Sequence, residues 1–160
     1  GSPGDTEGRP FYVMKPGRTQ VDTLLKHVRM EDVQLVHTWD MEKHMAACAQ
    51  KTIELGKQVD TTVNILDLAG LSMEHRHVLP YLNAITKLDE DYYPETLGVT
   101  VVINAPWVFP ALWKIVKAFL DPSIADKVMV LAEDYQEVLK KMIDLDQIPV
   151  EYGGECKRCG

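Results

Sequence analysis

The chain has 160 residues, 46% hydrophobic and 26% charged, which supplies enough apolar material for one sizeable core in a single domain. Its formal charge of -7 excludes a general nucleic-acid binder, because phosphate contact needs concentrated Lys and Arg. No apolar run approaches the ~20 residues of a membrane span, and three cysteines, an odd count, without a hydrophobic leader point to a reducing, cytosolic setting.

The opening Gly1-Ser2-Pro3-Gly4 reads as an expression scar, so residues 1–7 are assigned to a scar and flexible N-terminus, 8–154 to the domain and 155–160 to a C-terminal tail. Phe11-Tyr-Val-Met14, closed by Pro16-Gly17, is the first predicted strand. Val33, Val36, Met45, Cys48, Ala49, Thr52 and Ile53 recur at spacings of three and four and predict one long amphipathic helix over 31–56. Thr61-Thr-Val-Asn-Ile-Leu-Asp-Leu68 is β-branched and apolar, as an interior parallel strand should be. Helical spacing returns over 74–90, followed by strands at Gly98–Asn104 and Lys127–Ala132 and a last helix over Tyr135–Ile143. Strands separated by helices imply right-handed crossovers, hence an α/β fold with a mostly parallel sheet flanked by helices.

One segment departs from this pattern. From Trp107 to Leu120 nearly every helical face is apolar, with Lys114 and Lys117 the only charges, so this helix needs two apolar partners. The sheet is one; the other is protein or lipid, and the aromatics and two lysines suit a headgroup interface. Pro110 falls in the first turn, where a missing amide hydrogen is tolerated.

"GRPFY" at 8–12, "ILDLAGLS" at 65–72, "YYPETLGVTVVINAPWVF" at 92–109, "FLDPSIADKVMVL" at 119–131 and "IPVEYGG" at 148–154 occur in order. Together they resemble the Sec14-like, or CRAL-TRIO, lipid-binding domain, phosphatidylinositol transfer proteins among them. The resemblance implies an α/β cage around one apolar pocket that holds a single phospholipid as ligand, with no cofactor, closed by a gate helix matching Trp107 to Phe119. Trp107, Phe109, Leu112, Trp113, Val116 and Phe119 are then the gate and pocket residues. In members that bind phosphatidylinositol, a Glu in "YYPE" and a Lys after "FLDP" contact the inositol phosphate, and Glu95 and Lys127 stand at those positions. An ammonium pairs with phosphate and a carboxylate accepts from sugar hydroxyls, so the chemistry fits. The alternative for these two residues is a carboxylate at a turn after Pro94 and a surface lysine paired with Asp126. Ser72 matches a serine linked to phosphocholine in some relatives, but Glu74 follows and the 31–56 helix has no tyrosine to cradle choline. Ile124 stands where the best-known inositide binders carry a small hydroxyl residue.

The implied function is non-enzymatic binding and intermembrane transfer or presentation of a phospholipid, most readily phosphatidylinositol, by a cytoplasmic monomer in transient contact with a membrane surface and with no nucleic-acid partner. The alternatives are a protein-docking or regulatory module, or a carrier of a sterol or tocopherol. Other candidates carry less chemistry. His75 and His77 are two apart and do not share a helix face; Cys156-Lys-Arg-Cys159 is a single CxxC that lacks two further zinc ligands and reads as two unpaired thiols. Cys48 reads as a core residue, Asp67 as a cap on the turn after its strand, and no metal site is expected.

Overall fold

The computed structural model describes residues 3–157. Four strands, β1 (Phe11–Met14), β2 (Thr62–Asp67), β3 (Leu97–Ile103) and β4 (Val128–Val130), form one parallel sheet in the order β1-β2-β3-β4. The connections carry α1 (Val21–His27), α2 (Met30–Leu55), α3 (Leu79–Tyr92), α4 (Phe109–Lys117) and the short α5 (Pro122–Ala125), and α6 (Tyr135–Met142) follows the last strand. Each step moves to the next strand in the same direction. The right-handed rule then puts α2, α3 and α4 on a single face of the sheet.

Side chains alternate along a strand, and the register keeps parity across it: Val63 pairs with Phe11 and Val99, and Asn64 with Tyr12 and Thr100. The odd-numbered face is packed solid. Phe11, Val63, Ile65, Val101 and Ile103 bury against Leu139 of α6 and against Ile143, Ile148 and Tyr152, and Val63, Val101, Ile103, Leu139 and Ile143 are fully enclosed. The chain end reaches this core through "IPVEYGG". Its second glycine is obligatory, since a Cβ on Gly154 would lie 2.0 Å from the Ile148 carbonyl oxygen.

The even-numbered face is covered differently. His44 of α2 stacks on Tyr12 with ring centroids 3.7 Å apart, and α2 packs on α3, yet the 26 residues of α2 bury only Met41 and Cys48 and the 14 of α3 bury none. The predicted apolar face of α2 is therefore corrected. At roughly 100° per residue Met41, Cys48 and Thr52 define the inward stripe, and Val36 and Ile53 lie about a third of a turn to either side of it. Those two are 58% and 77% exposed.

Three local features also differ from expectation. The predicted 74–90 helix divides into a 3₁₀ segment, Met73–Val78, and α3, which starts with Pro80 in its first turn. The arm assigned to a flexible N-terminus is stitched into the fold from Gly4 onward: Asp5 bridges Ile143, Thr6 N–H donates to the Met142 carbonyl, and the Asp5 carboxylate accepts from Arg9 Nε at 2.8 Å and from the Glu7 and Arg9 amides. Cys156 is disulfide-bonded, not an unpaired thiol, and bridges Pro149; cysteine count and composition carry no information about such a local arrangement, and Cys159 lies outside the described residues.

Candidate functional site

Parallel strands begin at a common edge, so the loops entering β3 and β4 deliver Glu95 and Lys127 to the same rim of the sheet. Lys127 is half-buried, and its Nζ donates at 2.9 Å to the carbonyl of Leu97, two residues beyond Glu95; its own carbonyl accepts from Thr100 N–H at 2.9 Å. It thus reaches across to the neighbouring strand and makes no ion pair with Asp126. Glu95 is exposed at φ +58°, a left-handed conformation that costs a non-glycine residue on the order of 1 kcal/mol and that clusters at functional sites. Neither residue forms an ion pair with a described side chain.

A third charged group at this rim is Arg9 of "GRPFY", for which the sequence offers no role. Arg9 is salt-bridged to Asp5 through Nη2 at 2.7 Å, and its Nη1 lies beside Gly98, where a Cβ would come within 3.2 Å of it and 3.0 Å of Thr62 O. Glycine at 98 lets β3 approach Arg9 at the register shift between Thr62 and Val63. Only the three-dimensional register brings residue 9 beside residue 98.

From this rim the even face changes character along the strands. The row nearest the rim is Tyr12, Asn64 and Thr100, in register across three strands; the next is Met14, Leu66, Val102 and Val130, wholly apolar. Asn64 Oδ1 is buried and has no hydrogen-bond partner among the described residues. Burial holds the Tyr12 hydroxyl above its ordinary pKa, with Cys48 adding to the effect. The His44 imidazole is held below its usual value, first by burial, and stays neutral near pH 7.

The apolar end of this face lies toward α4, which leaves the C-terminal end of β3 after Asn104. The helix is shorter than predicted, with Trp107 before it and Phe119 beyond it. Its faces are also unequal: Val108, Leu112 and Val116 form a buried ridge, Phe109 and Trp113 stack half-buried with centroids 6.0 Å apart, and Ile115 is 45% exposed. The requirement for a second apolar partner falls on this outward part and on Trp107, 88% exposed.

Ser72 lies past the C-terminal end of β2, roughly 17 Å along the strand from the Glu95 and Lys127 rim, so the three do not form one headgroup site. Its amide and hydroxyl both meet His75 Nδ1, at 3.1 and 3.2 Å. At that same end Asp67 caps the Ala69 amide as expected and also accepts from Asn104 Nδ2 at 2.9 Å and Tyr152 OH at 2.8 Å. Two open grooves of about 340 Å³ each lie elsewhere, one between α2 and α3 at Gln34, Asn83 and Tyr92, the other at Asp5, Lys57 and Gln147. Neither borders α4, Glu95 or Lys127. On the even face Thr100 and Val102 are buried, while Tyr12, Asn64 and Leu66 are half-buried and Met14 and Val130 exposed. Among the described residues no helix is long and apolar enough to cross a membrane.

The profile of the CRAL/TRIO domain matches residues 2–154. The Sec14 cytosolic factor of Schizosaccharomyces pombe is 33% identical over 158 residues, covering 96% of this chain and 54% of that protein. A phosphatidylinositol/phosphatidylcholine transfer protein of Arabidopsis thaliana, SFH4, is 35% identical over 95% of this chain and 26% of its own length. The chain thus spans about half, or less, of these relatives. The crystal structure of Sfh5 superposes with a TM-score of 0.63 at 19% identity, over 97% of this chain and 52% of that one, a likeness of fold.

Proposed function

This chain belongs to the CRAL/TRIO domain family, and on that premise we propose that it binds one phospholipid, preferentially phosphatidylinositol, and carries or presents it between membranes without chemical turnover. The observation that carries this reading is the gradient on the even face, which runs from Glu95 and Lys127 at the rim, through Tyr12, Asn64 and Thr100, to Met14, Leu66, Val102 and Val130. A lipid laid along the strands matches it end to end. Lys127 Nζ meets the phosphate, Glu95 accepts from inositol hydroxyls, and the acyl chains cover the apolar row beneath α3 and α4. Each buried methylene contributes roughly 0.8 kcal/mol, enough for two chains to hold the ligand once α4 has moved aside. The names of relatives that transfer phosphatidylinositol and phosphatidylcholine support the ligand class.

Trp107 with Lys114 and Lys117 suits a transient seat in a headgroup layer, from which α4 swings to admit the lipid. In this reading the protein is a cytosolic monomer that meets membranes peripherally. The test is native mass spectrometry after incubation with phosphatidylcholine vesicles containing phosphatidylinositol. Wild type should retain one phosphatidylinositol. Lys127→Met with Glu95→Gln should lower its uptake at least tenfold, the loss of a charged hydrogen bond of about 1.5–3 kcal/mol, while phosphatidylcholine uptake persists. Protein that stays lipid-free, or that ignores the double substitution, overturns the proposal.

A further inference from the structure

A helix that covers a sheet from outside turns a polar face to solvent as a rule. The outer face of α2 breaks that rule. Leu35, Trp39, Ala46, Ala49 and Ile53 are all exposed, and at 100° per residue they fall within an arc of about 80°. Leu35, Trp39 and Ile53 are 70%, 61% and 77% exposed, and Val36 widens the strip on one flank. The inward stripe of Met41, Cys48 and Thr52 lies on the opposite side of the helix, so this strip takes no part in covering the sheet. Apolar side chains exposed singly need no explanation, but a row at helical spacing along roughly 27 Å of one helix is a continuous surface.

Size and charge along the strip select what fits it. Leu35 and Trp39 are bulky at one end and Ile53 at the other, with Ala46 and Ala49 between them. The middle is therefore a shallow saddle that lets a second helix approach closely and set a large side chain over the alanines. The flanks are acidic. Asp32, Asp89 and Glu54 pair with Arg29, His37 and Lys51, whereas Glu31 and Glu42 of α2 and Glu90 and Asp91 of α3 have no ion-pair partner among the described residues. α3 borders the strip on this side, where Tyr93 OH donates to Glu42 Oε1 at 2.6 Å. Lys43, between Trp39 and Ala46, is drawn over the Trp39 ring with Nζ 3.0 Å from its centroid. Carboxylates along an apolar strip repel an anionic lipid surface and complement a helix whose own flanks are basic.

We infer that the outer face of α2, from Leu35 to Ile53, is a docking site for a basic amphipathic helix of a partner protein, which lays its apolar stripe along the strip and sets Lys or Arg against the carboxylates on its flanks. Because this face points away from the sheet, docking does not depend on the lipid-carrier reading, and partner and lipid can be held at once.

The probe is a fluorescein-labelled peptide of about five helical turns, with leucine at alternating third and fourth positions and lysine elsewhere, titrated with the protein and followed by anisotropy. Its controls are a scrambled peptide of the same composition and a peptide with glutamate in place of lysine. Wild type should bind the probe one to one and both controls at least tenfold more weakly. Leu35→Gln with Trp39→Gln should weaken the probe at least tenfold while Tm stays within about 2 °C of wild type, since both side chains are on the surface. Ala46→Arg, which suits a helix but fills the saddle, should weaken it as much; Trp107→Ala, ahead of α4, should not. Equal binding of the scrambled peptide, or a probe indifferent to both α2 variants, overturns the proposal. So does either other occupant: vesicle binding that the α2 variants abolish assigns the face to lipid, and a dimer in sedimentation that they dissolve assigns it to a second copy.

Discussion

Ile65 and Leu66 are consecutive on β2, pair with the same two strands and point to opposite faces, so truncating each to alanine compares the two layers with local strand context held nearly constant. Ile65 is 2% exposed within the odd-face cluster, and Ile65→Ala leaves a cavity whose walls are fixed. That costs about 3 kcal/mol, and for a domain of this size a fall in Tm of roughly 6–12 °C. Leu66 is only half-buried and faces helices that enclose little. Leu66→Ala should cost about 1 kcal/mol, a fall of roughly 2–4 °C. Differential scanning calorimetry on delipidated protein reads both. In the presence of phosphatidylinositol vesicles the comparison changes: Leu66→Ala should now also weaken lipid retention, by roughly fivefold for 1 kcal/mol of lost chain contact, whereas Ile65→Ala should not. Equal Tm depressions in the delipidated protein would mean that the even face is as densely packed as the odd one, and the ligand layer would have no place in the molecule.

Two further predictions concern pH. Burial of Asp67 works against its charge, but the bonds from Asn104, the Ala69 amide and Tyr152 outweigh it and hold the carboxyl below its ordinary 3.8. A depressed carboxylate stabilises the fold above its unfolded pKa, and that contribution is lost as pH falls through the lower folded value. Asp67→Asn should therefore cost about 2–4 kcal/mol at pH 7, read from urea midpoints, and the difference from wild type should shrink below about pH 4; a constant difference would refute the assignment. His44, held neutral first by burial, has its folded pKa below the ordinary 6.5. Wild type should lose stability as pH falls from about 6.5 to 5, and His44→Phe, which keeps the ring on Tyr12, should flatten that limb in the same urea series.

Most of the fold was legible along the chain because parallel strands buried on both sides are near-continuous apolar runs: "TTVNILDL" and "GVTVVIN" could hardly be anything else. Periodicity failed where helices lack a single packed face. In α2 the apolar residues at spacings of three and four span most of the circumference, so spacing alone could not say which would be inside. Met41 and Cys48 are inside on the side where His44 stacks on Tyr12 and Cys48 Sγ reaches the Thr61 carbonyl. The short α1 and α5 have no apolar stripe long enough to read. The N-terminal arm was hidden for another reason: Gly-Ser-Pro-Gly looks like an expression scar, whereas Asp5 is tied in by Arg9 and by the bridge to Ile143, a partner whose proximity no local pattern encodes.

The site divides along the same line. Glu95 and Lys127 each sit just ahead of a strand, and once the strands are taken as parallel neighbours their meeting at one edge follows. The rows behind them do not follow from any single segment. β1, β2 and β3 each contribute one residue to the polar row and one to the apolar row, and within its own run Asn64, Tyr12 or Thr100 looks like a minor irregularity. Register turns those irregularities into a band lying across three strands, one row from the charged rim and one from a fully apolar row. Such a band is hard to account for as packing, since a solid core would gain stability from Val or Ile at all three places. It is readily accounted for if the even face meets something whose polarity also changes along its length. On the lipid-carrier proposal, the unequal packing of the two faces and the polar-to-apolar order on one of them are a single property of the sequence, that of a sheet completed on one side by its own chain and on the other by an amphipathic ligand.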